Sequence, residues 1–339
     1  MKHLVRIFIA CLVCFLLKVS LLAGPAAAQV KLNYSMFFPA QHAHTIAVNE
    51  WAKEIEKRTN GKVVITVFPG GTLTPADQAY DGVVRGVSDF ALCVFGYSRG
   101  RFPLSEVIDL PLGYKSGLQA TRLINEFYEK FKPKEFDNVK PMYFHAHGPG
   151  IIHTKKPVNK LEDLKGMKLR CGGLITKTVI ALGATPVSMT QGEAYDALSR
   201  GVVDGAIAPY EVLYGYKQGE VVKYTTECWG VGYTSGFVVA MNKEKWNSLP
   251  PDIQKIIEQV NKEWIDKTGK VWDGIDKQGK DFAIKLGNKI ITLSDAENKR
   301  WADKIRPILD EYVKVTNAKG LPGTEAMKFC LDRLKTLQK

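Results

Sequence analysis

The sequence predicts an α/β fold in two like-built lobes, with long helices near the C-terminus lying across both. Three observations carry this: a βαβ pattern opens the chain after Gln29, a helix-to-strand corner recurs with identical spacing, and the last stretch is helical with few strand signals. Val30 to Phe38 reads as a strand, and His44 to Thr59 places Ile46, Ala47, Trp51 and Ile55 at helical spacing. Asn60-Gly61 ends that helix. Lys62 to Phe68 alternates and is rich in valine, a second strand before the Pro69-Gly70-Gly71 turn. Two strands joined by a helix run parallel.

The recurring corner is Ala79-Tyr80-Asp81 leading to Arg85-Gly86-Val87-Ser88-Asp89, echoed by Ala194-Tyr195-Asp196 leading to Arg200-Gly201-Val202-Val203-Asp204. In each copy a helix ends at a glycine, where a left-handed cap is cheap, and a short buried strand follows, Phe90 to Val94 and Ala206 to Ala208. Ligands of open α/β sheets bind beyond the carboxyl ends of the strands, so two facing lobes enclose a cleft and close on a small ligand by a hinge. Pro251 to Leu286 and Ser294 to Thr316 are helical in pattern, with Pro250-Pro251 starting the first of them.

The N-terminus reads as an export signal: Lys2, His3 and Arg6 precede an apolar run from Ile7 to Leu17, and Ala26-Ala27-Ala28 supplies the small residues of a cleavage site. That run is too short to span a bilayer. The net charge of +12 favours anionic partners, and the leader's Lys2, Arg6 and Lys18 account for only a small part of it. The basic residues are interleaved with acids, as in Lys53-Glu54-Ile55-Glu56-Lys57-Arg58, which suits solvated helix faces rather than a nucleic-acid stripe. Cys93, Cys171, Cys228 and Cys330 are widely spaced and read as core residues, with room for one bridge of unspecified pairing. No catalytic set or cofactor site is expected, because Ser98, Ser188 and Ser235 lack a Gly-x-Ser-x-Gly setting and Gly70-Gly71 and Gly172-Gly173 are not phosphate loops.

Lys168-Leu169-Arg170 reads as a short strand with Cys171-Gly172-Gly173 beyond it, which sets the Arg170 guanidinium at the mouth of the cleft. Its planar fork suits a carboxylate or sulfonate. By the same strand-end logic His42 and Tyr97 face the cleft from the first lobe, while Phe144, Trp229 and Phe237 are candidate apolar walls. A metal reading competes. His42/His44 and His145/His147 alternate along the chain, so each pair shares one face of an extended segment, and imidazole is a common metal ligand. His147 belongs also among the candidate ligand contacts.

The chain resembles the substrate-binding subunits of tripartite ATP-independent periplasmic (TRAP) transporters, the DctP-like family. The resemblance is carried by Phe68-Pro69-Gly70-Gly71, Asp109-Leu110-Pro111-Leu112, the segment from Leu161-Glu162-Asp163-Leu164 through Arg170, Leu182-Gly183-Ala184, Gly201-Val202-Val203-Asp204-Gly205 and Met241-Asn242-Lys243. It implies a two-lobed periplasmic binding-protein fold, each lobe a mixed sheet flanked by helices. The expected division is 1–28 as signal peptide, 29–148 with about 236–275 as lobe I, and 149–235 with about 276–339 as lobe II and spanning helices. It implies that Arg170 pairs with the ligand's acid group and that the segment after Gly205 lines the pocket. Where many relatives carry an asparagine this chain has Ala208, followed by Pro209-Tyr210-Glu211, so Tyr210 and Glu211 join the candidates. Gln191 stands where relatives commonly have an aromatic wall, which suggests a hydroxyl, keto or amide group near the ligand's anion. The second arginine of sialic-acid binders would fall near Gly150 and is absent. The implied partners are a small organic anion and the small and large integral membrane subunits of an ion-driven transporter, with a monomer as the expected state.

Overall fold

The structure is a computed structural model that describes residues 29–337; the expected signal peptide lies outside the described residues. The chain starts in one lobe with β1 (Val30–Ser35), α1 (Ala43–Arg58), β2 (Val63–Phe68), α2 (Ala79–Val84), β3 (Phe90–Val94), α3 (Gly117–Phe131) and β4 (Val139–Ala146). It crosses through 147–150 into the second lobe, which holds β5 (Ile151–Thr154), β6 (Lys168–Cys171), α4 (Ile175–Ala181), β7 (Thr185–Ser188), α5 (Ala194–Ser199), β8 (Gly205–Ala208), α6 (Glu211–Gly215) and β9 (Tyr224–Glu227). A second crossing, 228–235, returns it to β10 (Gly236–Asn242) and α7 (Lys243–Asn247). The 35-residue α8 (Pro251–Lys285), then β11 (Lys289–Thr292), α9 (Asp295–Ala318) and α10 (Gly323–Leu337) complete the fold.

Both sheets are mixed, and each carries one reversed strand supplied by a segment that has just crossed over. The first has the order β2-β1-β3-β10-β4, with β10 antiparallel to both neighbours. The second has the order β11-β9-β5-β8-β6-β7, with β5 antiparallel to β8 and β9. The crossings run side by side: Gly150 N–H donates to Tyr233 O at 2.7 Å, and Thr234 Oγ1 donates to His147 O at 2.5 Å. These paired strands form the hinge, and α8 makes the third crossing, packing on α1, α3 and β4 of the first lobe and on α6 of the second.

The recurring corners end as the sequence argues, with Gly86 at φ +73° and Gly201 at φ +75°, left-handed positions that a side chain adopts at a cost. Trp51 of α1 is fully buried and its indole N–H donates to Asn261 Oδ1 of α8 at 2.9 Å, so the polar edge of a core ring is satisfied. α9 packs on α4 and α10 on α3, which spreads the C-terminal helices over both lobes. Among the described residues, Cys93, Cys171, Cys228 and Cys330 are buried free thiols, so no bridge forms among them, and burial pushes each thiol up from its ordinary range.

Candidate functional site

A cavity of about 60 Å³ lies between the lobes at the carboxyl ends of β1, β3, β6 and β8. Space of that size holds about four water molecules. The lobes meet around it: Arg99 Nη2 donates to Ser188 Oγ at 2.8 Å, and Gly173, at φ +55°, lies so close to Gly96 that a Cβ on it would stand 2.7 Å from the Gly96 Cα.

Arg170 enters the cavity from the end of β6, in register with Ala206 and Val187 of its neighbours. Gly172 and Gly173 end the strand and leave the guanidinium at its rim. The residue is 5% exposed, and one guanidinium nitrogen, Nη2, is held by Met189 O at 2.8 Å and Tyr97 Oη at 3.3 Å. Both partners are neutral. Its Nε has no protein partner, and neither has the Nε2 of Gln191 on the same cavity. Leaving buried donors unmatched is costly, and a buried charge without a counter-charge more so. Tyr97 Oη also accepts the Gln191 N–H at 2.9 Å, so a first-lobe hydroxyl links two second-lobe groups and keeps its own hydrogen for another acceptor.

His147 follows β4 in the hinge and lines the cavity. Its Nδ1 bonds Gly148 O, and since a carbonyl only accepts, the neutral ring carries its proton there and a lone pair on Nε2. Burial, offset by that bond and reinforced by the Arg170 charge, lowers its pKa to about 4, so it is neutral at pH 7. Glu211 opens α6 and lines the cavity; its Oε1 accepts from His42 Nε2 at 2.7 Å, a contact across the lobes. Phe237 pairs with Val94 across β10 and β3, and both line the cavity at the strand ends.

Four expected contacts lie elsewhere. His42 sits one layer back, its ring stacked at 4.1 Å on Phe38, which does line the cavity. Tyr210 turns away: its hydroxyl donates to Glu227 Oε1 at 2.8 Å and its ring lies under Lys280, so Pro209 presents the wall in its place. Phe144 falls on the opposite face of β4 from His145, packed against Tyr128 and Phe136, because successive strand residues point to opposite sides. Trp229 is partly buried against the large apolar core that runs through both lobes, and Tyr233, four residues on, reaches the cavity instead. The Tyr233 ring also explains Gly150: a Cβ there would stand 1.9 Å from it, so no side chain fits at that position.

Sequence reasoning missed Phe37, Phe38 and Trp272. The phenylalanines follow β1 directly, and the strand-end rule that nominated His42 reaches them too. Trp272 comes from the middle of α8, whose helical pattern marks it as spanning the lobes but does not single out this residue. The histidine pairs do converge, His44 stacking on His145 at 5.3 Å, but as a core: His145 Nδ1 accepts from Trp272 Nε1 at 3.0 Å and His42 serves Glu211. Among the described residues no group of three or more His, Cys, Asp or Glu is placed to hold a metal, and the metal reading has no support.

The model of bacterial extracellular solute-binding protein family 7 (DctP) matches residues 34–315. The chain belongs to this family. It is 26% identical over 286 residues to the C4-dicarboxylate-binding periplasmic protein DctP of Vibrio cholerae, covering 81% of this chain and 83% of that one. A TRAP periplasmic solute binding protein from Desulfovibrio salexigens, solved as an open complex with the C-terminus of a symmetry mate in its ligand site, is 35% identical; it superposes with a TM-score of 0.80, covering 91% of this chain and 96% of that chain. A marine metagenome TRAP solute binding protein specific for aromatic acid ligands, solved with 3-hydroxybenzoate, is 29% identical with a TM-score of 0.88 over 92% of this chain and 100% of that chain. The two-lobed fold is therefore that of TRAP solute-binding proteins, a non-enzymatic transport family whose members are periplasmic.

Proposed function

We propose that this protein captures a small organic monoanion, a carboxylate or sulfonate, between its lobes and hands it to the small and large membrane subunits of a TRAP transporter. The observation that carries the reading is Arg170: a buried guanidinium with only neutral hydrogen-bond partners and an unpartnered Nε, lining the same cavity as Gln191, whose Nε2 is also unpartnered. An anion supplies the charged hydrogen-bond partner that Arg170 lacks, and the acceptors. Tyr97 reaches it from the first lobe, so occupancy and closure favour each other. The protein works as a monomer shuttling in the periplasm.

Micromolar affinity corresponds to about −8 kcal/mol. Charge-assisted hydrogen bonds contribute about 1.5–3 kcal/mol each, so removal of the ligand from water and lobe closure supply a substantial share. The compact cavity favours a short acid. An aromatic acid is the second reading, favoured by the rings of Phe37, Phe237 and Trp272 around the cavity and by the relative that binds 3-hydroxybenzoate; it requires the walls to separate. Calorimetric titration against short, dicarboxylic and aromatic acids tests the proposal. Arg170→Ala should weaken the best ligand by about 2–5 kcal/mol, the cost of removing one partner of a buried charge pair; unchanged affinity would remove Arg170 from its role.

A further inference from the structure

The capture of an anion leaves one cavity group without a part to play, and it is a carboxylate. Glu211 lines the cavity that Arg170 enters and is almost fully buried. It is held firmly. His42 Nδ1 accepts the His44 backbone N–H at 3.2 Å, which places the ring proton on Nε2 and directs it to Glu211 Oε1 at 2.7 Å. The Glu211 backbone N–H donates to Asp276 Oδ1 at 2.8 Å, which fixes the start of α6 against α8. Gly215 completes the fit, since a Cβ there would stand 2.6 Å from Glu211 Oε1 and 2.8 Å from the His42 ring. With Oε1 engaged, no donor from the described residues reaches Oε2. A second acceptor on the cavity is the ring atom His147 Nε2.

The cavity is thus divided: Arg170, Gln191 and Tyr97 offer hydrogens, while Glu211 and His147 offer lone pairs. A ligand that is all acceptor beyond its acid group meets repulsion at the second set. A keto oxygen is such a group, and a hydroxyl is not. We propose that Glu211, positioned by His42, accepts a hydrogen bond from a hydroxyl on the ligand, so that the site selects hydroxy acids over the matching oxo or unsubstituted acids. This rests on the anion being held at Arg170.

The test is calorimetric titration of the wild-type protein with matched pairs: lactate and pyruvate, mandelate and phenylglyoxylate, 3-hydroxybenzoate and benzoate. In whichever pair binds most tightly, the hydroxy acid should bind about ten- to a hundredfold tighter, the equivalent of one hydrogen bond to a charged group. Glu211→Gln keeps an oxygen for His42 and turns an amide N–H towards the cavity, so the hydroxy preference should fall by at least about tenfold. If the oxo or unsubstituted acid binds wild type equally well in the deciding pair, the hydroxyl selection is overturned while the anion reading stands. A wild-type preference that survives unchanged in a folded Glu211→Gln overturns the assignment to Glu211. If that variant does not fold, the wild-type ratio decides alone; if no acid of any pair binds, the hydroxyl selection falls, and the anion reading falls with it when dicarboxylates and sulfonates fail to bind as well.

Discussion

His153 sits in β5 with both ring nitrogens engaged, Nδ1 with Thr225 Oγ1 at 2.9 Å and Nε2 with the carbonyls of Ala208 and Pro209 at 3.2 Å each. The carbonyls only accept, so the neutral ring donates from Nε2 and helps set the Ala208-Pro209 wall of the cavity. Burial lowers its pKa from 6.5 to about 4, more than the carbonyl bonds raise it. The unfolded chain takes up this proton near pH 6.5 and the native state only near pH 4. The stability from the neutral ring is therefore complete above about pH 6.5 and is lost as the pH falls to about 4, at about 1.4 kcal/mol per unit inside that window. Urea unfolding should show the advantage of wild type over His153→Gln shrinking at that rate between about pH 6 and pH 4.5; an advantage flat with pH would contradict the assignment.

The backbones of the two lobes come close between the loops after β3 and β6, at Gly96 and Gly173. Gly173→Ala adds a Cβ at 2.7 Å from the Gly96 Cα on a residue at φ +55°, so it should disfavour closure by about 1–3 kcal/mol. Calorimetry should show acid affinity reduced by about that amount while circular dichroism shows both sheets retained; wild-type affinity would mean that the lobes do not meet here when the protein is loaded. At this scale the sequence was most readable. The valine-rich alternation of Val63–Phe68, the glycine-ended corners and the proline start of α8 are local signals with local physical causes, and each element lies where those signals put it. Arg170, Gln191, Glu211, Tyr97, His147 and Phe237 line the cavity because each flanks a strand end, a property the chain order reveals. Tyr210, Phe144 and Trp229 could not be read this way. Their directions are set by Glu227 with Lys280, by the face of β4 and by the apolar core shared by the lobes, which are contacts between residues distant in sequence.

Across the whole molecule, three crossings join two sheets and leave their carboxyl ends face to face. His147 and Tyr233, which line the cavity, belong to the two crossing segments, and Trp272 belongs to the spanning helix, so under the proposed function a bound acid would touch the parts that bend as well as those that close. Under the proposed function this arrangement makes Arg170, which has no charged hydrogen-bond partner, a device for closure: an acid bonded to it is held best where Tyr97 completes the contact from the opposite lobe. The measurement that tests this most directly is a crystal structure of the protein with its tightest-binding acid. The acid group should lie between the lobes with its oxygens in hydrogen-bond contact with Arg170 Nε and Gln191 Nε2. An acid bound with its anionic end turned away from Arg170, or bound outside the cleft, would contradict the account.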